Sequence, residues 1–379
     1  MTMKRIGRVV LAMVCAGAAV MVTMRPAAAA GPAFVDIPWM SIANLFLEVG
    51  QFGIVVDGYF TRIPQSAFSG GGGGLAHTQQ TFAPDVKAVA RVLDALGGKA
   101  RVNLLLTGHS HFDHSFDTAT WSTLTGARII GSKTTCLQAR AEKVPVERCQ
   151  AVAGKEAISL ADGVTMRVVR WNHSGDPARN PEQHNPVELT AVPQPDASGG
   201  LHAGVADDFP NGGGGRGFLF TVDGPDGRFS WFYQNSASEV DLHLPIVVDG
   251  VDYGAPLDNL RAAMKDAQLE SVDLWVGTGG VGVAKLVLPV LKPKAFLPIH
   301  WDGLYEPFEA GLPRPYADPA LEALLASEKV TVVKAGQYMD KWRLDRRGVR
   351  PVPNAAIKKA RGFADVQSFP AQARPAAGR

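Results

Sequence analysis

Cysteine is scarce in this chain, with three in 379 residues. None lies within twenty positions of the histidine-rich stretch at 109–114, so a closed thiolate-based structural zinc site is excluded there. Basic residues are not in excess either. Residues 1–30 hold four of the 38 basic groups and no acidic one, which leaves 34 basic against 36 acidic and a formal charge of −2. A nucleic-acid partner needs a basic surface, so that class is excluded. No apolar run is long enough to cross a bilayer, the longest being fifteen residues at 9–23. Neither glycine run, 70–74 or 212–215, leads into Gly-Lys-Ser/Thr, so neither is a phosphate loop. The second is followed by strand-like residues 218–222 where a dinucleotide fingerprint needs a helix, so that reading fails too.

What is present begins with a leader. Lys4, Arg5 and Arg8 precede the apolar stretch, and Ala28-Ala29-Ala30 offers an A-x-A cleavage site. Residues 1–30 therefore read as a signal peptide cleaved after Ala30, with an uncleaved anchor as the alternative. The mature protein is expected to be periplasmic or secreted, touching membrane only through the leader. Cys136 and Cys149 remain. In an oxidising compartment they form a candidate disulfide, adding roughly 3 kcal/mol for a loop of this size, or they are two unrelated buried thiols.

Hydrophobic patterning predicts paired strands at 44–49 and 53–57, an amphipathic helix over 85–96, and a strand at 102–106. Helices over 116–124 and 134–142 flank a strand at 128–131. Strands at 164–170, 218–222 and 229–233 follow. Next come a helix over 256–269, a strand at 272–276, a helical run at 284–291 and a strand at 295–299. A helix at 319–327 and strands at 330–334 and 341–344 complete the pattern. Such mixed units predict an α/β protein of two sheets covered by helices. The main domain spans 31–345. Gly- and Pro-rich stretches at 63–83 and 174–216 read as loop insertions, and 346–379 as a loosely packed Pro/Ala/Arg-rich tail whose basic run at 358–361 is a solvated end.

The chemistry concentrates at "HSHFDH", residues 109–114, directly after a strand. Imidazole and carboxylate together suit a borderline divalent metal, zinc first, with iron or manganese also compatible. His109 and His111, two apart on a chain leaving a strand, can converge on one ion. Asp113 and His114 at a helix entry point to a neighbouring one. Further ligands must come from elsewhere, and His173 and His300 each end a strand, where α/β sheets build their sites. His77, His184, His202 and His243 sit in polar loops and read as solvated or hydrogen-bonded. His184 and His202 are the substitutes for His173, since both belong to the 174–216 loop. Trp39, Trp171 and Trp301 are candidate pocket walls, with core packing as the competing role.

"HSHFDH" resembles the H-x-H-x-D-H signature of the metallo-β-lactamase superfamily. "NHSGD" (172–176) and "KPKAFLPIHWDG" (292–303) resemble its later histidine motifs, the last most like the UlaG-like branch. "FGIVVDGYF" (52–60) resembles the early strand whose terminal Asp, here Asp57, supports the site from behind the ligands. The resemblance covers about residues 42–345 and implies an αββα sandwich with a metal site at one edge. It implies that His109, His111 and His173 hold one zinc, and Asp113, His114 and His300 a second. It also exposes a departure: "WFYQNSAS" (231–238) places Asn235 where most members carry an Asp that bridges both metals. Asn235 is expected to be a weak bridge or a supporting group, with two ions still favoured over one. The implied activity is hydrolysis by metal-bound hydroxide, oriented by Asp113, of a small ester, lactone, amide or phosphodiester. The alternatives are a class B3-like β-lactamase, a metal-binding member that has lost catalysis, or an iron-dependent oxidative enzyme.

Overall fold

The computed structural model describes residues 30–70 and 74–363. The leader reading falls, Ala30 apart, on residues outside that range. Two sheets face one another. The first has eight strands in the order Gly348–Val352, Lys341–Asp345, Val35–Ser41, Asn44–Val49, Phe52–Val56, Leu104–Leu106, Arg128–Gly131, Cys149–Ala151. Its pairings are antiparallel up to Phe52–Val56 and parallel beyond it. The second has seven, in the order Thr331–Val332, Ala295–Pro298, Leu274–Gly277, Gly227–Tyr233, Gly215–Gly224, Val164–Trp171, Ala157–Ala161.

Alternation along the second sheet shows what covers each face. Phe218, Phe220, Trp231, Tyr233, Leu274 and Val276 enter the core shared with the first sheet. Their neighbours Leu219, Phe232, Trp275 and Phe296 enter a separate core. Helices Pro256–Asp266, Gly280–Leu291 and Pro319–Ser327 line that second core, supplying Leu260, Val287 and Leu325. Successive side chains point to opposite faces of a strand, so one sheet is buried on both sides. Helix Val86–Ala95 packs its Val89 and Val92 into the first core. Asp85 caps it, its side chain accepting from the amides of Lys87 and Ala88. The result is an αββα sandwich, the α/β class expected.

Several expectations are corrected. Strand Val35–Ser41 was not anticipated, because its seven residues are all buried and so lack the alternation of a half-exposed strand. The tail does not begin at 346: the last hairpin runs to Val352, and helix Ala355–Ala360 follows. The basic run is not a solvated end, because Lys358 is 3% exposed and pairs with Asp340. The two insertions are packed on each other, joined by a bridge between Phe82 and Leu201, and the second yields to strand at Gly215. Leu201, Ala203 and Phe209 from it are buried in the main core. Cys136 and Cys149 form a disulfide tying helix Lys133–Ala141 to strand Cys149–Ala151.

Candidate metal centre

The end of strand Leu104–Leu106 is pinned before the histidines begin. The Gly108 amide donates to Asp57 Oδ1 at 2.9 Å. A β-carbon at Gly108 would lie 2.3 Å from the Asn235 amide, so only glycine lets these two segments meet. His109 follows, and His111 leads into the short helix Phe112–Ser115 that carries Asp113 and His114. Ser110, between the first two histidines, donates to the Pro210 carbonyl at 2.6 Å, which turns its side chain away from them.

The structure brings His109, His111 and His173 into one cluster, and Asp113, His114 and His300 into another; within each, the ligand atoms lie within 4.8 Å of one another. The two adjoin, with the rings of His109 and His114 4.1 Å apart. His173 stands just beyond strand Val164–Trp171, and the Ser174 amide donates to Ser236 Oγ at 2.7 Å. His300, beyond strand Ala295–Pro298, is hooked to the turn at 41–43: its amide donates to the Ile42 carbonyl at 2.9 Å. The Ile42 amide in return donates to Asp302, which also accepts from Tyr338 Oη. Asp57 and His300 both adopt a left-handed backbone (φ 59° and 63°), a conformation costly for residues with a β-carbon.

Hydrogen bonds behind the rings select which nitrogen faces the centre. His114 Nδ1 donates to Asp57 Oδ2 at 2.8 Å, and His173 Nδ1 to the Ser174 carbonyl at 2.8 Å. His109 Nδ1 lies 3.1 Å from Asn235 Oδ1. That leaves Nε2 facing the centre on each. His109 Nε2 and His111 Nε2 are buried with no hydrogen-bond partner. Within the second cluster, Asp113 Oδ2 is 3.0 Å from His300 Nε2 and 3.2 Å from His114 Nε2, and the two ring nitrogens are 3.3 Å apart. Ligands at tetrahedral angles on bonds of about 2.0–2.1 Å would be separated by roughly 3.3 Å. The donor set of each cluster, and the spacing measured in the second, therefore fit a divalent ion.

Electrostatics point the same way. Burial, reinforced by the neighbouring His114, pulls His109 far below the usual imidazole range. Burial likewise depresses His173 and takes His111 down to about 3, so this cluster offers neutral lone pairs at neutral pH. In the second, burial opposes charge on His114, but the Asp113 and Asp57 carboxylates outweigh it and push His114 up to about 10. Asp113 is raised by burial yet held well below its usual range by His114 and His300. Asp57 and Asp113 are 2% and 6% exposed, and among the described residues their ion pairs are with histidine alone. Two buried carboxylates without lysine or arginine need cations nearby.

Asn235 stands behind the rings rather than between the clusters. Its amide nitrogen donates to Asp57 Oδ2 at 2.9 Å, and the amide touches the Nδ1 edges of His109 and His114, opposite their ligand atoms. Of the two roles expected for it, the weak bridge is not what this geometry offers. Tyr233 was missed by sequence reasoning, though its Oη donates to Asp57 Oδ2 at 2.7 Å. Its place at the end of a strand directly before Gln234-Asn235 was the available signal.

The remaining histidines divide. His77 pairs with Asp207, His202 sits near Thr78, and His243 is exposed; none of these three belongs to either cluster. His184, read as solvated or hydrogen-bonded, is the second kind of case: it is buried, 3.3 Å from Asp241, with its ring against His173, but it belongs to neither cluster. Trp39 and Trp171 are buried in the two cores, while Trp301 is half-buried and stacks on Trp39.

No protein-family model matches the chain, and no curated protein is detectably similar to it in sequence. Among solved structures, it is similar to Igni18, a metallo hydrolase from Ignicoccus hospitalis, at 13% identity and a TM-score of 0.39, over 82% of this chain and 98% of that one. It is similar to an isothiocyanate hydrolase from Delia radicum gut bacteria at 10% identity and a TM-score of 0.45, over 81% and 98%. It is also similar to the metallo-β-lactamase fold protein YhfI from Bacillus subtilis at 9% identity and a TM-score of 0.43, over 82% and 99%.

Proposed function

We propose that this chain is an exported, metal-dependent hydrolase of the metallo-β-lactamase type, of the UlaG-like branch, holding two zinc ions. The observation that carries the reading is the pairing of a neutral three-imidazole cluster with an adjoining Asp-His-His cluster. Imidazole-rich sets favour zinc, and a site short of a full tetrahedron by one protein ligand leaves room for chemistry. When bound, such ions polarise a substrate oxygen and bring the acidity of water near neutrality.

The chain's own residues supply the rest. Asp57 takes hydrogen bonds from His114, Tyr233, Asn235 and the Gly108 amide, and so fixes the ring of His114 and the strand end before His109. Asp113 contributes the negative charge that the two histidines cannot, and its Oδ2 orients His114 and His300 together. The His300 side chain, 24% exposed, marks the side from which a small ester, lactone, amide or phosphodiester would approach. The Cys136–Cys149 bond supports export, since such bonds persist in oxidising compartments.

Elemental analysis of protein purified without added ions tests the metal, with two zinc per chain expected and iron or manganese the opposing results. His111→Ala should remove one equivalent and lower hydrolysis of a responsive probe by more than about a hundredfold, beyond the loss typical for outer partners. Unchanged metal content and unchanged hydrolysis across ester, lactone, amide and phosphodiester probes would sink the assignment.

A further inference from the structure

We propose that the cavity beside His173 is a specificity pocket for an alkylammonium group on the substrate. This rests on the hydrolase reading, which supplies the reacting centre that the pocket would serve. The cavity measures about 370 Å³ and is bounded by the 171–173, 177–186 and 241–247 segments. That volume suits a small-molecule site. His173 belongs both to its wall and to the three-imidazole cluster, so an occupant borders the candidate metal centre. A larger hollow of about 700 Å³, lined by Arg261, Lys265 and Pro289 among others, contains none of the candidate ligands.

Residues of its wall carry unsatisfied polar atoms. Asn172 Oδ1, Asn211 Oδ1 and His184 Nε2 are buried and have no hydrogen-bond partner. Other bonds fix the roles of the two amides. The Asn172 amide nitrogen donates to the Ser238 carbonyl at 2.8 Å and to Asp241, and that of Asn211 to the His184 carbonyl at 3.5 Å. His184 Nδ1 lies 3.3 Å from Asp241 Oδ2, with Nε2 on the far side of the ring. Asp241 lines the cavity, and among the described residues no lysine or arginine does. Among the described residues of the wall, the indole N–H of Trp171 is the one buried donor without a partner.

An unpaired buried acceptor costs about 1–3 kcal/mol, which a ligand donor recovers. An ammonium offers three N–H donors and no acceptor, matching the lone pairs of the two amide oxygens beside one carboxylate. A carboxylate or phosphate in the same place would face those lone pairs and Asp241. Pro177, Pro186 and Ile246 supply apolar wall, and Leu244 and Val247 stand at it with 56% and 50% of their surface exposed. Carbon next to the ammonium can cover them.

Calorimetric titration of the full chain, zinc-loaded and zinc-free, with n-hexylammonium, n-hexanol and n-hexanoate tests the pocket directly. The ammonium should bind at least about tenfold more tightly than the alcohol, and hexanoate more weakly than either. Asp241→Asn should abolish the ammonium preference, and His184→Gln, which keeps a polar group, should reduce it; circular dichroism checks that each variant is folded. Equal binding of ammonium and alcohol, or a preference for hexanoate, overturns the proposal. p-Nitrophenyl 6-aminohexanoate and hexanoate then separate the two readings. Ammonium preference without hydrolysis of any ester, lactone, amide or phosphodiester defeats the hydrolase and leaves the pocket. Hydrolysis without ammonium preference defeats the pocket and leaves the hydrolase.

Discussion

Asn235→Asp is nearly isosteric and restores the residue that the resemblance leads one to expect, yet this structure predicts that it does harm. The Asn235 amide nitrogen donates to Asp57 Oδ2 at 2.9 Å, and both residues are 2% exposed. A carboxylate there would set two negative charges at about that separation, a repulsion of roughly 6 kcal/mol at an effective dielectric near 20. The folded variant escapes by keeping a proton, which raises the carboxyl pKa by about four units. The unfolded chain ionises near pH 4, so retaining that proton costs about 4 kcal/mol at pH 7 and only about 1.5 kcal/mol at pH 5. The sign follows from linkage: the folded state binds the extra proton, so the variant loses stability as pH rises from 4 toward 8. Urea unfolding of metal-free wild type and variant at pH 5 and pH 7 measures the difference. If the variant matched wild type at both pH values and bound a second metal more tightly, the placement of Asn235 behind the rings would be refuted.

Three further outcomes follow from the same geometry. Asp57→Asn should weaken metal binding by about 10–100-fold, as measured by chelator competition, because it removes the charge behind His114; unchanged affinity would deny Asp57 that role. For metal-free protein, stability should peak near neutral pH in thermal melts from pH 4 to 9. Burial holds His111 at about 3, with His109 and His173 also depressed, so below 6.5 only the unfolded chain gains those protons and stability falls by up to about 1.4 kcal/mol per pH unit for each. His114, held at about 10 by Asp113 and Asp57 against burial, contributes stability present below 6.5 and lost as pH climbs toward 10; a melting temperature still rising at pH 9 would contradict this. Cys136→Ser should cost about 3 kcal/mol of stability in urea unfolding under oxidising conditions, and no change would mean the loop is already rigid without the bond.

The strands and helices that face one core or one solvent side were legible because their apolar positions repeat. Helix 319–327 and strand 128–131 were read at the bounds they adopt. Strand Val35–Ser41 was not, since burial on both faces erases the alternation, and Asp36 and Ser41 interrupt its apolar run. The ligand set was legible for a different reason: three histidines and an aspartate in six positions are rare enough to need a purpose, and two more histidines ended strands. His184, read as solvated or hydrogen-bonded, was left undecided. It lies in a Pro- and Asn-rich stretch that looks solvated, and only the fold brings it against His173 and Asp241. Nothing local announces a contact between residues 57 positions apart along the chain.

The two left-handed residues at the centre show why sequence alone stops short of the site's rigidity. Asp57 and His300 each end a strand with positive φ, where glycine would be unstrained. Each is instead held by a clamp that the rest of the fold supplies. Asp57 receives four donors from two separate segments, 108–114 and 233–235, and the His300 backbone is tied to Ile42, itself at φ 45°. Strain of about 1–3 kcal/mol at such a position persists only where the surroundings over-determine it. Replacing either by glycine would relieve the backbone but remove the side chain that the clamp exists to aim. The cost therefore belongs to the site's function, and the second sheet and the 41–43 turn are what allow the molecule to bear it.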